Sequence, residues 1–142
     1  MQNQLKTYLS GATKQVKEDF QSWRSYCKML SHTGYYEKIK FVDPLAYFNY
    51  KHRLPKTEKQ CIDLFMWLID QCNILLVNLD YSNTSIGTGQ EIEHAFCHSI
   101  PIIGFGEKPD TWYNWSAERC SVIFDTIEEA VEYINNNYGG VL

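Results

Sequence analysis

A short segment, Ser85 to Glu91 (S-I-G-T-G-Q-E), carries the residue types best suited to chemistry, and it follows an apolar run that predicts a buried strand. Its two glycines, Gly87 and Gly89, allow a sharp turn and a close approach of the backbone to a ligand. The segment leads into a predicted helix, whose free amides and dipole favour an anion. Because the hydroxyls of Ser85 and Thr88 add donors, we expect a phosphate or carboxylate of a ligand to bind here.

Glu91 ends this segment, in what we predict to be the first turn of the helix. Nearby amides are expected to hold its carboxylate ionised and to lower its pKa. An ionised carboxylate can attack the anomeric carbon of a sugar and form a covalent glycosyl–enzyme species. The alternative is that Glu91 is only an acidic residue of the kind favoured at helix N-termini.

The elements that must position these residues alternate between strand and helix patterns. Strands are predicted over 7–12, 40–42, 73–79, 100–105 and 122–124, and helices over 18–30, 58–71, 90–98 and 127–136. Apolar stripes mark the first two helices: Phe20, Trp23, Cys27 and Leu30 on one, and Ile62, Phe65, Met66 and Ile69 on the other. The stretches 45–54 and 81–89 are predicted loops, Thr57 is a predicted helix cap, and 112–120 has no assigned structure.

This alternation predicts an α/β fold in which a mostly parallel sheet carries helices on both faces. The near-continuous apolar run 73–79 fits a central strand that is covered on both sides. Ligand sites in such sheets lie beyond the carboxyl ends of the strands. We therefore expect residues 10–13, 81–91 and those after Phe105 to meet at one edge, within a single domain of residues 1–142.

The 142-residue chain has a net charge of −4 and no basic stripe, which argues against nucleic acid as a partner. No apolar run approaches the roughly 18 residues of a membrane span, and residues 1–7 lack the apolar core of a signal peptide. The five cysteines show no zinc or redox spacing, as expected for reduced thiols. We therefore expect a cytoplasmic protein without a metal site, with Cys97 only as an alternative nucleophile.

Four segments resemble the nucleoside 2-deoxyribosyltransferase family in their residues, order and spacing. They are TYLSGA (7–12), NILLVNLD (73–80), SIGTGQEIEHAF (85–96) and IPIIGF (100–105), and the final helix, IFDTIEEAVEYI (123–134), is also similar. The resemblance spans nearly the whole chain. It implies a flavodoxin-like or Rossmann-like three-layer sandwich, a homo-oligomer, no cofactor, and a nucleoside or nucleotide as the small-molecule partner.

The resemblance also implies roles for particular residues. Glu91 matches the nucleophile, and Tyr8 matches the first-strand tyrosine that hydrogen-bonds the glutamate and orients it. Gly11 matches the glycine that lets the sugar or base approach. Ser85 stands where the branch that hydrolyses deoxynucleoside 5′-monophosphates has a serine that helps to hold the phosphate, whereas free-nucleoside transferases commonly have an aspartate. The resemblance therefore favours a 5′-monophosphate as substrate.

One position departs from the family pattern. Asn73 stands where the family usually has an aspartate that serves the base or proton transfer, and an amide cannot act as a general acid or base at neutral pH. Asp80, at the carboxyl end of the same strand, is the candidate to compensate, so the expected catalytic residues are Glu91, Tyr8 and Asp80. The residues expected to bind substrate are Ser10, Gly11, Asn73, Ser85, Gly87, Thr88 and Gly89.

Other polar residues have two open interpretations each. His94 either contacts Glu91 or lies on the helix flank, whereas Glu93 should point to another helix face and His98 should cap the helix end. Arg24 either reaches a phosphate or lies in solvent. Residues 47–53 (YFNYKHR) form either a lid that stacks on a base or an oligomer surface.

Two functions follow from these residues and the resemblance. The first is cleavage or exchange of the N-glycosidic bond of a nucleoside or nucleotide through a covalent intermediate on Glu91. The second is capture of a nucleotide or nucleotide signal without chemistry, which the change to Asn73 favours. An oligomeric scaffold with a vestigial pocket and cleavage of a dinucleotide at its ribosyl bond are weaker alternatives.

Overall fold

The computed structural model describes residues 4–12, 22–34, 36–47, 55–80, 82, 85–106 and 115–141. In these ranges, strands and helices alternate along the chain. The elements are β1 (Leu5–Ser10), α1 (Ser22–Thr33), β2 (Ile39–Val42), α2 (Glu58–Asp70), β3 (Ile74–Asn78), α3 (Ile86–Cys97), β4 (Ile102–Phe105), α4 (Trp115–Glu118), β5 (Val122–Phe124) and α5 (Ile127–Tyr138). Short 3₁₀ helices span Pro44–Tyr47 and Gly139–Val141.

The five strands form one parallel sheet in the order β2-β1-β3-β4-β5. All residues of β3 are buried, as its apolar run predicts for a strand near the middle of such a sheet. The chain reverses its direction of winding between β1 and β3, and ligands of open α/β sheets bind beyond the carboxyl ends of the strands at such a switch point. No secondary structure was predicted for residues 112–120. The short helix α4 lies in this stretch, between β4 and β5.

Helices cover both faces of the sheet, so the predicted three-layer α/β sandwich is confirmed. On one face, α1 and α5 pack on a core that includes Leu9, Leu76 and Ile134. On the other face, α2 and α3 pack on a core that includes Tyr8 and Ile92. Leu9 and Tyr8 face opposite ways because neighbouring side chains of a strand alternate between its two sides.

The helix α2 begins at a complete capping box. The side chain of Thr57 accepts a hydrogen bond from the backbone N–H of Gln60, and the Gln60 side chain accepts one from the backbone N–H of Thr57. The predicted cap is therefore confirmed, but the predicted apolar face is only half buried. Ile69 is fully buried near the end of the helix, whereas 43% of Ile62 is exposed, because only the carboxyl-terminal part of α2 contributes to the core.

The start of α3 differs from the sequence prediction, and α1 and α5 end three and two residues later than predicted, at Thr33 and Tyr138. The helix α3 begins at Ile86 instead of residue 90, so Gly87 and Gly89 lie in its first turns and not in a loop. The predicted stripe of α1 is buried at Trp23, Cys27 and Leu30, while residues 18–21 lie outside the described ranges. None of the helices described has the length and apolar character needed to cross a lipid bilayer.

Candidate active site

Glu91 lies at the centre of the candidate site, on the face of α3 that packs against the sheet. Only 8% of the residue is exposed. The Tyr8 hydroxyl donates a hydrogen bond to Oε2 of Glu91, and the Ser10 hydroxyl donates one of 2.8 Å to Oε1. Tyr8 and Ser10 are two residues apart on β1, so their side chains reach the same face of the sheet. Each oxygen of the carboxyl group therefore has a donor from β1.

The start of α3 determines where Glu91 points. Ser85 is the N-cap residue, and its side chain accepts a hydrogen bond from the backbone N–H of Thr88. Thr88, Glu91 and Ala95 are buried and follow at spacings of three and four residues, which places them on one side of the helix. Glu91 thus lies in the second turn of α3 and not in the first, as the sequence analysis had expected.

The pKa of Glu91 is raised from 4.5 to about 7, because burial disfavours the charged carboxylate. The hydrogen bonds from Tyr8 and Ser10 and the positive charge of Arg24 act in the opposite direction but do not outweigh burial. The expectation that helix amides lower this pKa was therefore wrong. A carboxyl group with this pKa is partly ionised at neutral pH, and a modest change in its surroundings shifts the balance between its two forms.

Tyr8 remains protonated throughout the ordinary pH range. Burial and the neighbouring Glu91 carboxylate both raise the pKa of its phenol. The phenol is fully buried, and its hydroxyl donates its hydrogen bond to Glu91. Tyr8 therefore orients the carboxyl group as a permanent donor.

Arg24 links α1 to the carboxyl end of β1. Its Nη1 donates hydrogen bonds to the carbonyl of Leu9 (3.1 Å) and to Oδ1 of Asp43 (3.0 Å), and its Nη2 donates one to the carbonyl of Gly11 (3.3 Å). Arg24 is only 4% exposed, and Asp43 also pairs with Lys28. The interpretation of Arg24 as a solvent-exposed side chain was therefore wrong. The position of Arg24 beside the apolar stripe of α1 could have indicated that it is buried. Nothing in the sequence identified Asp43 as its partner.

Gly11 follows β1 at the same edge, in a tightly packed position. A Cβ atom there would lie 3.1 Å from Cζ2 of Trp23 and 3.3 Å from Cβ of Asn78. Packing within the protein is therefore tight at this position and favours glycine, whether or not a sugar or base approaches as the resemblance implies.

The N-terminus of α3 offers an open surface beside Glu91. A Cβ atom on Gly87 or Gly89 would meet no atom of the described residues within 4 Å, the backbone of the helix itself aside. Glycine inside a helix costs about 1 kcal/mol relative to alanine, so these two glycines reduce stability without a steric reason in the described part of the chain. The hydroxyls of Ser85 and Thr88 lie 2.8 Å apart and hydrogen-bond each other.

Ser82, just before this helix, was missed by the sequence analysis. Its hydroxyl is buried and makes no hydrogen bond within the described part of the chain, although its backbone carbonyl accepts one from Ser85. A buried hydroxyl without a partner carries a free-energy penalty of about 1–3 kcal/mol. Ser82 precedes the N-terminus of α3, and residues 81, 83 and 84 beside it lie outside the described ranges.

Asp80 lies beyond the carboxyl end of β3, at the edge where it was expected. Its backbone N–H donates a 3.0 Å hydrogen bond to Oδ1 of the buried Asn78. Gly106, after β4, has a φ of +102°, and a Cβ there would lie 2.9 Å from Oδ1 of Asp80 and 3.0 Å from Oδ1 of Asn78. Asn78 is thus a second polar residue of this edge that the sequence analysis did not select, although it ends the apolar run.

Asn73 lies at the opposite edge of the sheet. It precedes β3, is exposed, and accepts a 2.9 Å hydrogen bond on Oδ1 from the backbone N–H of Lys6 at the start of β1. Tyr8 and Ser10 lie further along β1, towards its carboxyl end. The structure therefore does not bring Asn73 together with Glu91, and the expected contact between Asn73 and a bound base has no support in this geometry.

The remaining candidates on α3 point away from Glu91. His94 lies 2.7 Å from Asp70 through its Nε2, and Glu93 pairs with Arg119 on the exposed side. His98 is the C-cap residue, as expected. In the predicted lid, Tyr47 is exposed and residues 48–53 lie outside the described ranges.

Comparison with solved structures shows the same fold in other proteins. A conserved protein from Enterococcus faecalis V583 superposes with a TM-score of 0.70 at 12% identity, over 94% of this chain and 98% of that one. A 2-deoxyribosyltransferase from Bacillus psychrosaccharolyticus superposes with a TM-score of 0.65 at 16% identity, over 96% of this chain and 95% of that one. No protein-family model matches the sequence, and no curated protein matches it.

Proposed function

We propose that the chain cleaves or exchanges the N-glycosidic bond of a nucleoside or nucleotide, with Glu91 as the nucleophile. The observation that carries this proposal is a buried carboxyl group held by two β1 hydroxyls at the switch point of the sheet. Support for the substrate class comes from the shared fold of a 2-deoxyribosyltransferase and from the resemblance of the sequence segments around Tyr8 and Glu91.

The reaction proceeds in two displacement steps. The ionised Glu91 carboxylate attacks C1′, a bond forms between its oxygen and C1′, and the C1′–N bond breaks with its electron pair leaving on the base. The base takes up a proton, for which Asp80 is the candidate donor at this edge. Water or a second base then attacks C1′, releases the carboxylate and gives a free sugar or a new nucleoside.

The 5′ end of the substrate is placed at the N-terminus of α3. Backbone amides and the helix dipole attract an anion there, and the open surface at Gly87 and Gly89 leaves space for it. The buried Ser82 hydroxyl gains a partner when a phosphate or hydroxyl arrives. With Ser85 and Thr88, these groups favour a 5′-monophosphate, while Ser10 and Gly11 lie on the sugar side.

Capture of a nucleotide without chemistry is the alternative, which the change to Asn73 favours. The position of Asn73 at the amino edge of the sheet, away from Glu91, weakens this support for capture. A transferase must exclude water from the intermediate and a hydrolase must admit it, so the products decide between these two forms of the reaction.

The test compares the wild type with Glu91→Gln and with a matched control, Glu93→Gln. Glu93 is on the same helix but is exposed and pairs with Arg119, so the control changes an acidic residue outside the site. Each protein is incubated with deoxynucleosides and their 5′-monophosphates, with and without a free acceptor base, and base release or exchange is followed by chromatography.

We expect Glu91→Gln to lower kcat/KM by about 1,000-fold or more, because the amide cannot form the glycosyl ester, and Glu93→Gln to retain wild-type activity. Rapid quenching followed by mass spectrometry should find a peptide containing Glu91 that is heavier by one glycosyl unit. Equal turnover by the wild type and Glu91→Gln, or recovery of unchanged ligand from a tight complex with the wild type, would reject the proposal.

A further inference from the structure

Asp70, His94 and His98 form a cluster on the outer surface, where the carboxyl-terminal ends of α2 and α3 meet. Each residue offers one donor atom, and these three atoms all lie within 4.8 Å of one another. Within the residues described, this is the one group of three or more histidine, cysteine or acidic side chains with such an arrangement. The cluster is separate from the candidate active site, because His94 turns towards Asp70 and not towards Glu91.

The backbone of α3 selects the nitrogen that His98 can offer to a ligand. Nδ1 of His98 lies 2.7 Å from the carbonyl oxygen of His94, and it must donate because a carbonyl only accepts. In the neutral ring, Nε2 then carries the free lone pair. Histidines that bind metal ions almost always donate the other ring N–H to a carboxylate, a backbone carbonyl or water, and His98 has such an acceptor.

His94 contributes a second imidazole from the adjacent turn. It lies four residues before His98, and the two rings are stacked with their centroids 4.1 Å apart. Nε2 of His94 lies 2.7 Å from Oδ1 of Asp70, so one nitrogen and one carboxylate oxygen are already neighbours. A cation between them is bound by Nε2 of the neutral imidazole, whose single ring proton then lies on Nδ1.

From this geometry we propose that Asp70, His94 and His98 bind a divalent transition-metal ion of the zinc, cobalt or nickel type. Two imidazole nitrogens and one carboxylate oxygen match the preference of these ions, whereas magnesium and calcium prefer sites made only of oxygen. Three protein ligands leave at least one coordination position for water. The ion would join the end of α2 to the end of α3.

Side-chain rotations complete the proposed site, because the stacked rings do not yet direct both nitrogens at one point. Ligand atoms around a tetrahedral zinc ion lie about 3.3 Å apart, given a zinc–nitrogen distance of about 2.0 Å. The donor atoms now lie within 4.8 Å, and Asp70 and His98 are exposed, so rotation about their side-chain bonds can close the difference. Within α3, His94 and His98 are already neighbours, because residues i and i+4 lie on the same face of a helix.

The test uses the full chain without a histidine tag, after treatment with a chelator. Zinc chloride and magnesium chloride are titrated separately by calorimetry, and melting temperature is measured with and without each salt. The variants are His98→Gln and Asp70→Asn, and the matched control is His32→Gln, which replaces an exposed histidine at the end of α1. Because a ligand that binds only the native state stabilises it, binding and melting should change together.

We expect one zinc ion per chain, a rise of several degrees in melting temperature, and no effect of magnesium. His98→Gln and Asp70→Asn should each weaken zinc binding by about tenfold or more, with His32→Gln unchanged. Equal zinc affinity in the wild type and His98→Gln, or no binding by the wild type at 100-fold excess of zinc over protein, would overturn the proposal.

Zinc binding by cysteine must be distinguished from binding by the cluster, since Cys97 is exposed and lies beside His98. The Cys97→Ser variant should keep its zinc affinity. The cobalt complex of the wild type should lack the near-ultraviolet absorption of a cobalt–thiolate bond, because the proposed ligands are nitrogen and oxygen. Loss of zinc binding in Cys97→Ser, or a thiolate band in the cobalt spectrum, would assign the ion to cysteine and reject the cluster.

Discussion

The phenol of Tyr8 donates a hydrogen bond to Glu91 across a sequence separation of 83 residues. The contact is made at the switch point of the sheet, where β1 and the helix after β3 come together. Because the phenol is always protonated and the carboxyl group titrates near neutrality, the pair places one permanent donor next to one group that changes its charge.

The first prediction concerns the pH dependence of turnover. Attack on C1′ requires the ionised form of Glu91, whose pKa is about 7 in the folded protein. We therefore expect kcat/KM for the free protein to rise with pH and to level off above about pH 7. The measurement is a pH–rate profile from pH 5 to 9. A profile that is flat across pH 7 would contradict the assignment of Glu91 as the ionised nucleophile.

A Tyr8→Phe variant refines this prediction. The hydrogen bond from Tyr8 lowers the pKa of Glu91, so its removal should move the rising limb of the profile to higher pH. A purely structural role for Tyr8 would reduce the rate without moving the limb.

The second prediction concerns stability, and it holds without any substrate. The pKa of Glu91 is raised from 4.5 to about 7 by burial, so the native state binds this proton more tightly than the unfolded state does. The contribution to the free energy of unfolding is therefore fully present below pH 4.5 and is lost as pH rises through 7. A change of this size corresponds to about 3 kcal/mol as an upper limit.

Urea unfolding of the wild type and Glu91→Gln at pH 5 and pH 8 measures this effect. The difference between the two pH values should be smaller in Glu91→Gln, because the amide does not titrate. If both proteins lose the same stability between these pH values, then other groups dominate and the burial of the Glu91 charge is not the cause.

The buried strand β3 shows what the sequence was able to predict. Its residues 74–78 are apolar up to Asn78, and a run of this kind is stable only when both faces are covered. The start of α3 was harder, because Gly87 and Gly89 have low helix propensity and suggested a loop. Burial of Ile92 and Ala95 and the Ser85 cap outweigh that propensity in the folded chain.

At Asn73 the resemblance implied a contact with the base, whereas sheet topology alone already places this residue at the other edge. A residue that precedes a strand lies at the amino edge of a parallel sheet, whereas ligands bind at the carboxyl edge. The sequence alone could not predict that Arg24 pairs with Asp43 or that Asp70 lies beside His94. The members of each pair are 19 and 24 residues apart, and only the packed structure brings them together.

The third prediction separates two roles of Ser85, the cap of α3 and the proposed contact with a 5′-phosphate. Ser85→Ala should lower stability by about 1 kcal/mol through loss of the cap. It should also raise KM for a 5′-monophosphate by more than it raises KM for the matching nucleoside. The control is Thr126→Ala, since Thr126 caps α5 in the same way.

Melting temperature and KM for both substrates are measured in the two variants. The two variants should show similar losses of stability, but only Ser85→Ala should change the preference between monophosphate and nucleoside. The same ratio of KM values in Ser85→Ala and the wild type would leave Ser85 with a structural role alone.

The fourth prediction concerns Arg24, which acts on Glu91 without touching it. Arg24 holds the carbonyls of Leu9 and Gly11 and thereby the end of β1 that carries Ser10. Arg24→Gln removes a buried charge and leaves the Asp43 carboxylate with Lys28 and the backbone N–H of Leu45 as described partners. We expect a loss of stability of about 3 kcal/mol, and the double variant with Asp43→Asn should recover part of it because no buried carboxylate is then left underpaired.

Arg24 also lowers the pKa of Glu91 through its positive charge. The double variant should therefore show a pH–rate profile whose rising limb lies at higher pH than in the wild type, even where its stability is partly restored. Lys28→Gln is the matched control, because it removes an exposed cation from the same aspartate. If the double variant and Lys28→Gln both kept the wild-type profile, Arg24 would contribute to packing but not to the ionisation of Glu91.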